Sequence, residues 1–131
     1  MKHMNVMIVH DFLETINRIK AILEELGHCV PLIVYETSIA LKVLAEDEAI
    51  NLVVVNWNMP DKSGYELAKE LRDRGNQTPV LIIVNRTMPE TKKKATELSN
   101  VATFTVDNRQ HKLTVARMRN VIKDLTKNKS R

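Results

Sequence analysis

The sequence predicts an α/β domain with a doubly wound, five-stranded parallel sheet. Three observations predict it. Five short apolar runs recur along the 131 residues, at 6–9, 30–34, 52–55, 80–84 and 101–106. The first, third and fourth are nearly continuous in Val, Ile, Leu and Met, the mark of strands buried on both faces. Stretches of helical spacing separate the runs, so the order is βαβαβαβαβα. Strict alternation implies right-handed crossovers and helices on both faces of one sheet.

Each element has its own signal. Pro31 sits in the second run, and a proline lacks the ladder donor, so that strand belongs at an edge. The first helix is expected from Phe12, Ile16, Ile19, Leu23 and Leu26, spaced by fours and threes, with Gly27 as its stop. Ile39, Val43 and Leu44 mark a short second helix. Ser63 and Glu66 form the capping box of a third, which Gly75 ends. Thr87 and Glu90 form a second capping box, with Pro89 in the first turn. The fourth helix, over 89–99, is highly charged, with Ala95 and Leu98 as its few apolar anchors. The fifth, over 110–125, turns Leu113, Met118, Val121, Ile122 and Leu125 inward.

Composition narrows the function. The chain fits one domain with a substantial core, expected over residues 4–126, with 127–131 a basic tail or the start of a linker. Cys29 is the single cysteine, so neither an intramolecular disulfide nor a cysteine metal cluster can form. It is expected to be a small core residue within the second strand. The start has no signal-peptide pattern, and no apolar run approaches the roughly 20 residues of a membrane span. A cytoplasmic protein with no membrane association is expected.

The net charge of +4 is uneven: residues 105–131 carry +6 and the rest −2. A basic last helix could meet nucleic acid. However, the single Trp, two Tyr and two Phe do not interleave with the basic run as base-stacking would require, so a solvated face is expected instead.

A sheet of this kind carries its ligand site at the carboxyl ends of its strands, near the topological switch point. The residues there are His10 and Asp11, Asn56 to Pro60, Val84 and Asn85, and Asp107 and Asn108.

These residues carry a resemblance. V9-H10-D11-F12 follows the first strand; N56-W57-N58-M59-P60, then S63-G64-Y65-E66-L67, follows the third. T78-P79-V80-L81-I82-I83 forms the fourth strand, and Phe104 lies in the fifth. Together they resemble the CheY-like receiver domains of response regulators in two-component signalling, over nearly the whole chain. Flavodoxins share the topology, but their Ser/Thr-rich phosphate loop has no counterpart after the first strand. The resemblance implies a three-layer α/β/α fold with strand order 2-1-3-4-5.

It also implies a chemistry. In the family an aspartate ending the third strand takes a phosphoryl group as nucleophile. A carboxylate pair after the first strand and a backbone carbonyl two residues past the nucleophile hold Mg2+. The cation neutralises charge on the phosphoryl group. A Ser or Thr and a Lys at the ends of strands four and five bind its oxygens.

This sequence departs at four of those places. Asn56 stands at the nucleophile's position, and a neutral carboxamide is a poor nucleophile. His10 replaces one acid of the pair, leaving Asp11. Val84 replaces the hydroxyl residue, and Asp107 reverses the charge of the lysine. One amide at position 56 could be an engineered block; four losses describe a domain that has left the chemistry.

The resemblance therefore implies a phosphorylation-independent pseudo-receiver: a protein-interaction module of bacterial-type signalling, not an enzyme, with no catalytic residue. Asn56 is expected to be a structural amide bonded to nearby loop backbone. No cofactor is expected; Mg2+ binding should be weak or absent, with Asp11 and Asn58 as residual ligands. Two alternatives are an atypical phosphoacceptor at Asp11 or Asp107, and a receiver domain of a larger transcription regulator or hybrid kinase.

Three further expectations concern the altered site and its surroundings. His10, Asp11 and Asp107 should lie close together, as a His10–Asp107 salt bridge or as a transition-metal site of one His and two Asp. Nearby carboxylates would raise the pKa of His10. Phe104 occupies the family's switch position, where, without a hydroxyl at Val84, it is expected to be a fixed packing residue. A protein partner, or a second copy in a homodimer, would meet the fourth helix, fifth strand and fifth helix. That surface would present Lys92, Lys93, Lys94, Phe104, Arg117, Arg119 and Lys123.

Overall fold

The structure is a computed structural model that describes residues 3–86, 88–107 and 109–127. Its elements are β1 (Asn5–Val9), α1 (Leu13–Glu25), β2 (Cys29–Val34), α2 (Thr37–Glu46), β3 (Leu52–Asn56), α3 (Gly64–Asp73), β4 (Val80–Ile83), α4 (Pro89–Thr96), β5 (Val101–Phe104) and α5 (His111–Lys127). All pairings are parallel, and the order is β2-β1-β3-β4-β5. Pro31 lies on an edge strand, and the β1–β2 register shifts between Asn5 and Met7.

Alternation along the buried strands sends side chains to two cores. Met7, Val9, Val53, Val55, Val80 and Ile82 face α2, α3 and Ala95 of α4. Val6, Ile8, Leu52, Val54, Leu81 and Ile83 face α1 and α5. Each such side chain removed from water stabilises the fold by roughly 1.5–3 kcal/mol before entropy is counted. Two packed layers on one sheet are what nearly continuous apolar strands require.

Helix ends follow local chemistry. Ser63 Oγ accepts from Glu66 N at 3.0 Å, and Ser63 N donates to Glu66 Oε1 at 2.9 Å, closing the expected capping box. Gly27 and Gly75 take φ of 91° and 81°, a region costly for other residues, and end α1 and α3. Thr87 lies outside the described residues; the N-cap of α4 is Met88, which makes no side-chain cap, and Pro89 opens the helix. α4 ends at Thr96, three residues sooner than expected.

Several inward assignments are corrected. Phe12 is 56% exposed, because it precedes α1 in extended backbone, and Ile22 completes the buried face with Ile16, Ile19 and Leu23. Ile39 is exposed, because α2 buries Thr37, Ala40, Leu41 and Leu44 instead. Leu113 is exposed in the first turn of α5, whose buried face is Thr114, Met118, Ile122 and Leu125. Cys29 is exposed at the start of the edge strand, not in the core.

One arginine fastens the end of the sheet opposite the site. The guanidinium of Arg72 donates to the carbonyls of Ser99, Asn76, Thr78 and Asn100 at 2.6–2.9 Å. It thereby joins α3 to the segments leading into β4 and β5. Burial lowers its pKa to about 10, so it remains charged at neutral pH. Asn100, one of its acceptors, takes a φ of 55°, a conformation that Asn tolerates better than most residues.

Candidate functional site at the carboxyl ends of the strands

β1, β3 and β4 end side by side, bringing His10, Asn56 and Val84 to one rim. Asn56 ends β3, and its Nδ2 donates to the carbonyl of Asn58 at 2.8 Å. The amide is thus bonded to neighbouring loop backbone, as the sequence suggested. Gly64 is required beside it: a Cβ there would stand 2.7 Å from the Asn56 carbonyl oxygen, well inside contact distance. The Gly64 N–H donates to the Trp57 carbonyl at 3.0 Å, so α3 starts directly against the strand end.

The loop after β3 is held from a second side. The Asp61 carboxylate accepts the backbone N–H groups of Thr37 and Ser38 at 3.1 and 2.9 Å, and Thr37 Oγ1 donates to the Lys62 carbonyl at 2.7 Å. Asp61 therefore caps α2 from another loop, where the N-cap residue Glu36 makes no side-chain cap. Partial desolvation raises the Asp61 pKa. The N–H groups of Ser38, Thr37 and Lys62 outweigh that and hold the carboxyl well below the usual range. This role had no local sequence signal, since donor and acceptor are 24 residues apart.

His10 is 5% exposed. Its Nδ1 accepts the Phe12 N–H at 3.1 Å, which fixes the neutral tautomer with the proton on Nε2. The expected rise in its pKa is corrected: burial lowers it, and the Asp11 carboxylate, 3.8 Å from Nδ1, offsets this only in part. The expected His10–Asp107 salt bridge is also absent among the described contacts. Asp107 turns its carboxylate to the Arg109 N–H at 2.8 Å, with Arg109 Nε at 3.6 Å. The bond from the Arg109 N–H is the largest cause of its lowered pKa, partly opposed by desolvation and aided by the charges of Arg109 and Arg117. Its backbone carbonyl accepts from Arg18 and Thr114 at 3.0 and 2.8 Å. His10, Asp11 and Asp107 therefore do not converge on a metal; no group of three His, Cys, Asp or Glu among the described residues does. Asn108 lies outside the described residues.

Val84 is 6% exposed, and its N–H donates to the Phe104 carbonyl at 2.9 Å, extending the β4–β5 ladder past the strands. Phe104 is 7% exposed and packs in the core on the α1 and α5 side. It is a packing residue, and its assignment to a presented partner surface is corrected. Lys92, Lys93, Lys94, Arg117, Arg119 and Lys123 are exposed on α4 and α5. Trp57 and Tyr65 stack with centroids 5.8 Å apart, and Lys94 Nζ lies 4.6 Å from the Tyr65 centroid. This relay from the site loop to α4 was not anticipated.

A cavity of about 580 Å3 opens at this rim, with Glu14, Thr15 and Arg18 of α1 and Val106 completing its wall. The donor set does not fit Mg2+, which wants several hard oxygen ligands in near-octahedral array. His10 offers an N–H where an acid would stand, and the Asn58 carbonyl already accepts from Asn56.

Comparison with known proteins agrees with this fold. Residues 6–118 match the response regulator receiver domain. The chain is 35% identical over 74 residues to the aerobic respiration control protein ArcA of Escherichia coli, a match covering 55% of this chain and 29% of that protein. It is 35% identical over 54 residues to the transcriptional regulatory protein CiaR of Streptococcus pneumoniae, covering 41% and 24%. The matches thus span less than a third of the length of either relative.

Among solved structures, the chemotaxis response regulator CheY4 of Vibrio cholerae superposes with a TM-score of 0.72 at 21% identity, over 92% of this chain and 99% of that one. The receiver domain of an HD domain-containing protein from Pseudomonas fluorescens gives 0.75 at 15% identity, over 100% and 95%. With the strand order, the helices on both faces and the match over most of its length, the chain belongs to the response regulator receiver domain family.

Proposed function

We infer that this receiver domain is a pseudo-receiver: it regulates by binding a protein partner, without forming an aspartyl phosphate and without acting as an enzyme. The observation that carries the reading is the bond from Asn56 Nδ2 to the Asn58 carbonyl. The residue at the phosphoacceptor's place is a neutral amide, and its N–H engages the carbonyl that the family would give to a cation. The surroundings support the same reading. Val84 offers no hydroxyl, and Asp107 puts a carboxylate, paired with Arg109, where a cation would hold the phosphoryl oxygens.

The partner surface proposed is that of α4, β5 and α5. Its exposed Lys92, Lys93, Lys94, Arg117, Arg119 and Lys123 suit an acidic protein face, or a second copy that meets them with its own carboxylates. The unit over 4–126 would serve equally as a stand-alone module or within a longer regulator. ArcA and CiaR are named as control and regulatory proteins, so partners are to be sought in signalling. No helix of the described residues is long and apolar enough to cross a membrane.

Amide NMR spectra recorded with and without a small acyl phosphate, in buffer containing Mg2+, test the reading. Superimposable spectra are expected. A second set of peaks spreading from the β3 end to α4, β5 and α5 would overturn it.

A further inference from the structure

The cavity at the strand ends has features that the pseudo-receiver reading does not use. Its volume, about 580 Å3, lies within the range of small-molecule sites. Its lining is mixed and more polar than apolar: Ile83, Val84 and Val106 supply apolar surface, and Phe12 stands half out of the surface at its wall. The rest of the lining is polar. The side chain of Asn85 makes no hydrogen bond to another described residue, and Asn56 keeps Oδ1 uncommitted after its Nδ2 bond. His10 is more than nine-tenths buried and lines the cavity; with Nδ1 accepting from Phe12, its Nε2–H has no partner among the described residues.

We propose that this cavity binds a small, neutral, planar heterocycle of nucleobase or nucleoside size. The Asn56 and Asn85 carboxamides and the Nε2–H of His10 would read its edges.

Carboxamides present a donor and an acceptor side by side and match a heterocycle edge that does the same. Phe12 supplies a ring face for stacking. The charge balance selects against an anion. Glu14 stands in the wall, and the Arg18 guanidinium is engaged by the Asp107 carbonyl and by His111. Burial keeps His10 neutral, so it donates without attracting charge. The proposal rests on the pseudo-receiver reading, because a phosphoryl group at the β3 end would fill the same space.

The test is an amide NMR titration of the full chain with adenosine, inosine and uridine, their 5′-monophosphates, and inorganic phosphate. At least one neutral nucleoside is expected to give saturable shifts confined to the amides around His10, Phe12, Thr15, Asn56, Asn85 and Val106. Asn85→Ala, an exposed change that leaves the core untouched, is expected to raise the dissociation constant about three- to tenfold. The proposal is overturned by no saturable shift from any neutral nucleoside at millimolar concentration. It is equally overturned by monophosphates or inorganic phosphate binding more tightly than the nucleosides, or by unchanged affinity in Asn85→Ala. Failure of the receiver reading is separate: a phosphoryl adduct seen by intact mass would overturn that reading, while the titration of unmodified chain would still report on the cavity.

Discussion

The side chain of Asn56 donates from Nδ2 to the carbonyl of Asn58 at 2.8 Å, closing the turn that follows β3. A carboxylate in its place would set an acceptor against that carbonyl. Asn56→Asp is therefore expected to destabilise the domain by about 1–2 kcal/mol in urea unfolding. It is also expected to remain unphosphorylated, since Val84 and Asp107 still lack the hydroxyl and the cation. A variant as stable as the parent would show that the amide bond contributes nothing.

Asp61 reaches from one loop to cap another element. Asp61→Ala leaves the N–H groups of Thr37 and Ser38 without their acceptor, and a loss of about 1–2 kcal/mol is expected. Hydrogen exchange should quicken at the first turn of α2 before it does elsewhere. The folded carboxyl titrates below its ordinary 3.8, so its contribution is whole above that value and is lost as pH falls through the folded pKa.

Arg72 joins four carbonyls through one rigid fork. A lysine keeps the charge but offers a single nitrogen, so it cannot reach all four carbonyls of the two segments at once. Arg72→Lys is expected to cost about 1–2 kcal/mol, since part-buried carbonyls lose their partners. Thermal unfolding would check this, and an unchanged midpoint would contradict the role given to the guanidinium.

Two buried histidines set a pH dependence. Burial lowers the pKa of His10, and burial, with the charges of His3 and the N-terminus, lowers that of His28. The unfolded chain then binds more protons than the folded one between the folded values and 6.5, and stability rises with pH across that window. The contribution is whole above 6.5 and lost below the folded values. Denaturant midpoints should fall as pH drops from 6.5 towards 5. The slope should lessen in His10→Asn, whose Oδ1 can accept from Phe12 without titrating.

Much of the fold was legible because its signals are local. The continuous runs at 6–9, 52–55 and 80–84 gave the buried strands, Pro31 gave an edge, and Ser63 with Glu66 gave a helix start. The site's place at the strand ends followed from topology, and the Asn56 bond lies within two residues, so it could be expected. What was missed depends on direction and distance. Asp107 was expected to meet His10, but the chain turns its carboxylate to the Arg109 N–H two residues on. Desolvation outweighs the Asp11 charge at His10, and burial of a particular ring cannot be read from its neighbours in sequence. Phe12 and Leu113 fit helical spacing but lie at helix starts, where the face has not yet met the sheet. Asp61 and Arg72 act across 24 and 28 residues, a separation that only the fold closes.

The central claim is that this receiver keeps the family's architecture without its reaction. Incubation with a small acyl phosphate and Mg2+, followed by intact mass, tests it most directly. The account predicts a single unmodified species. A phosphoryl adduct that disappears in Asp11→Asn or Asp107→Asn would contradict it and make this domain a phosphoacceptor.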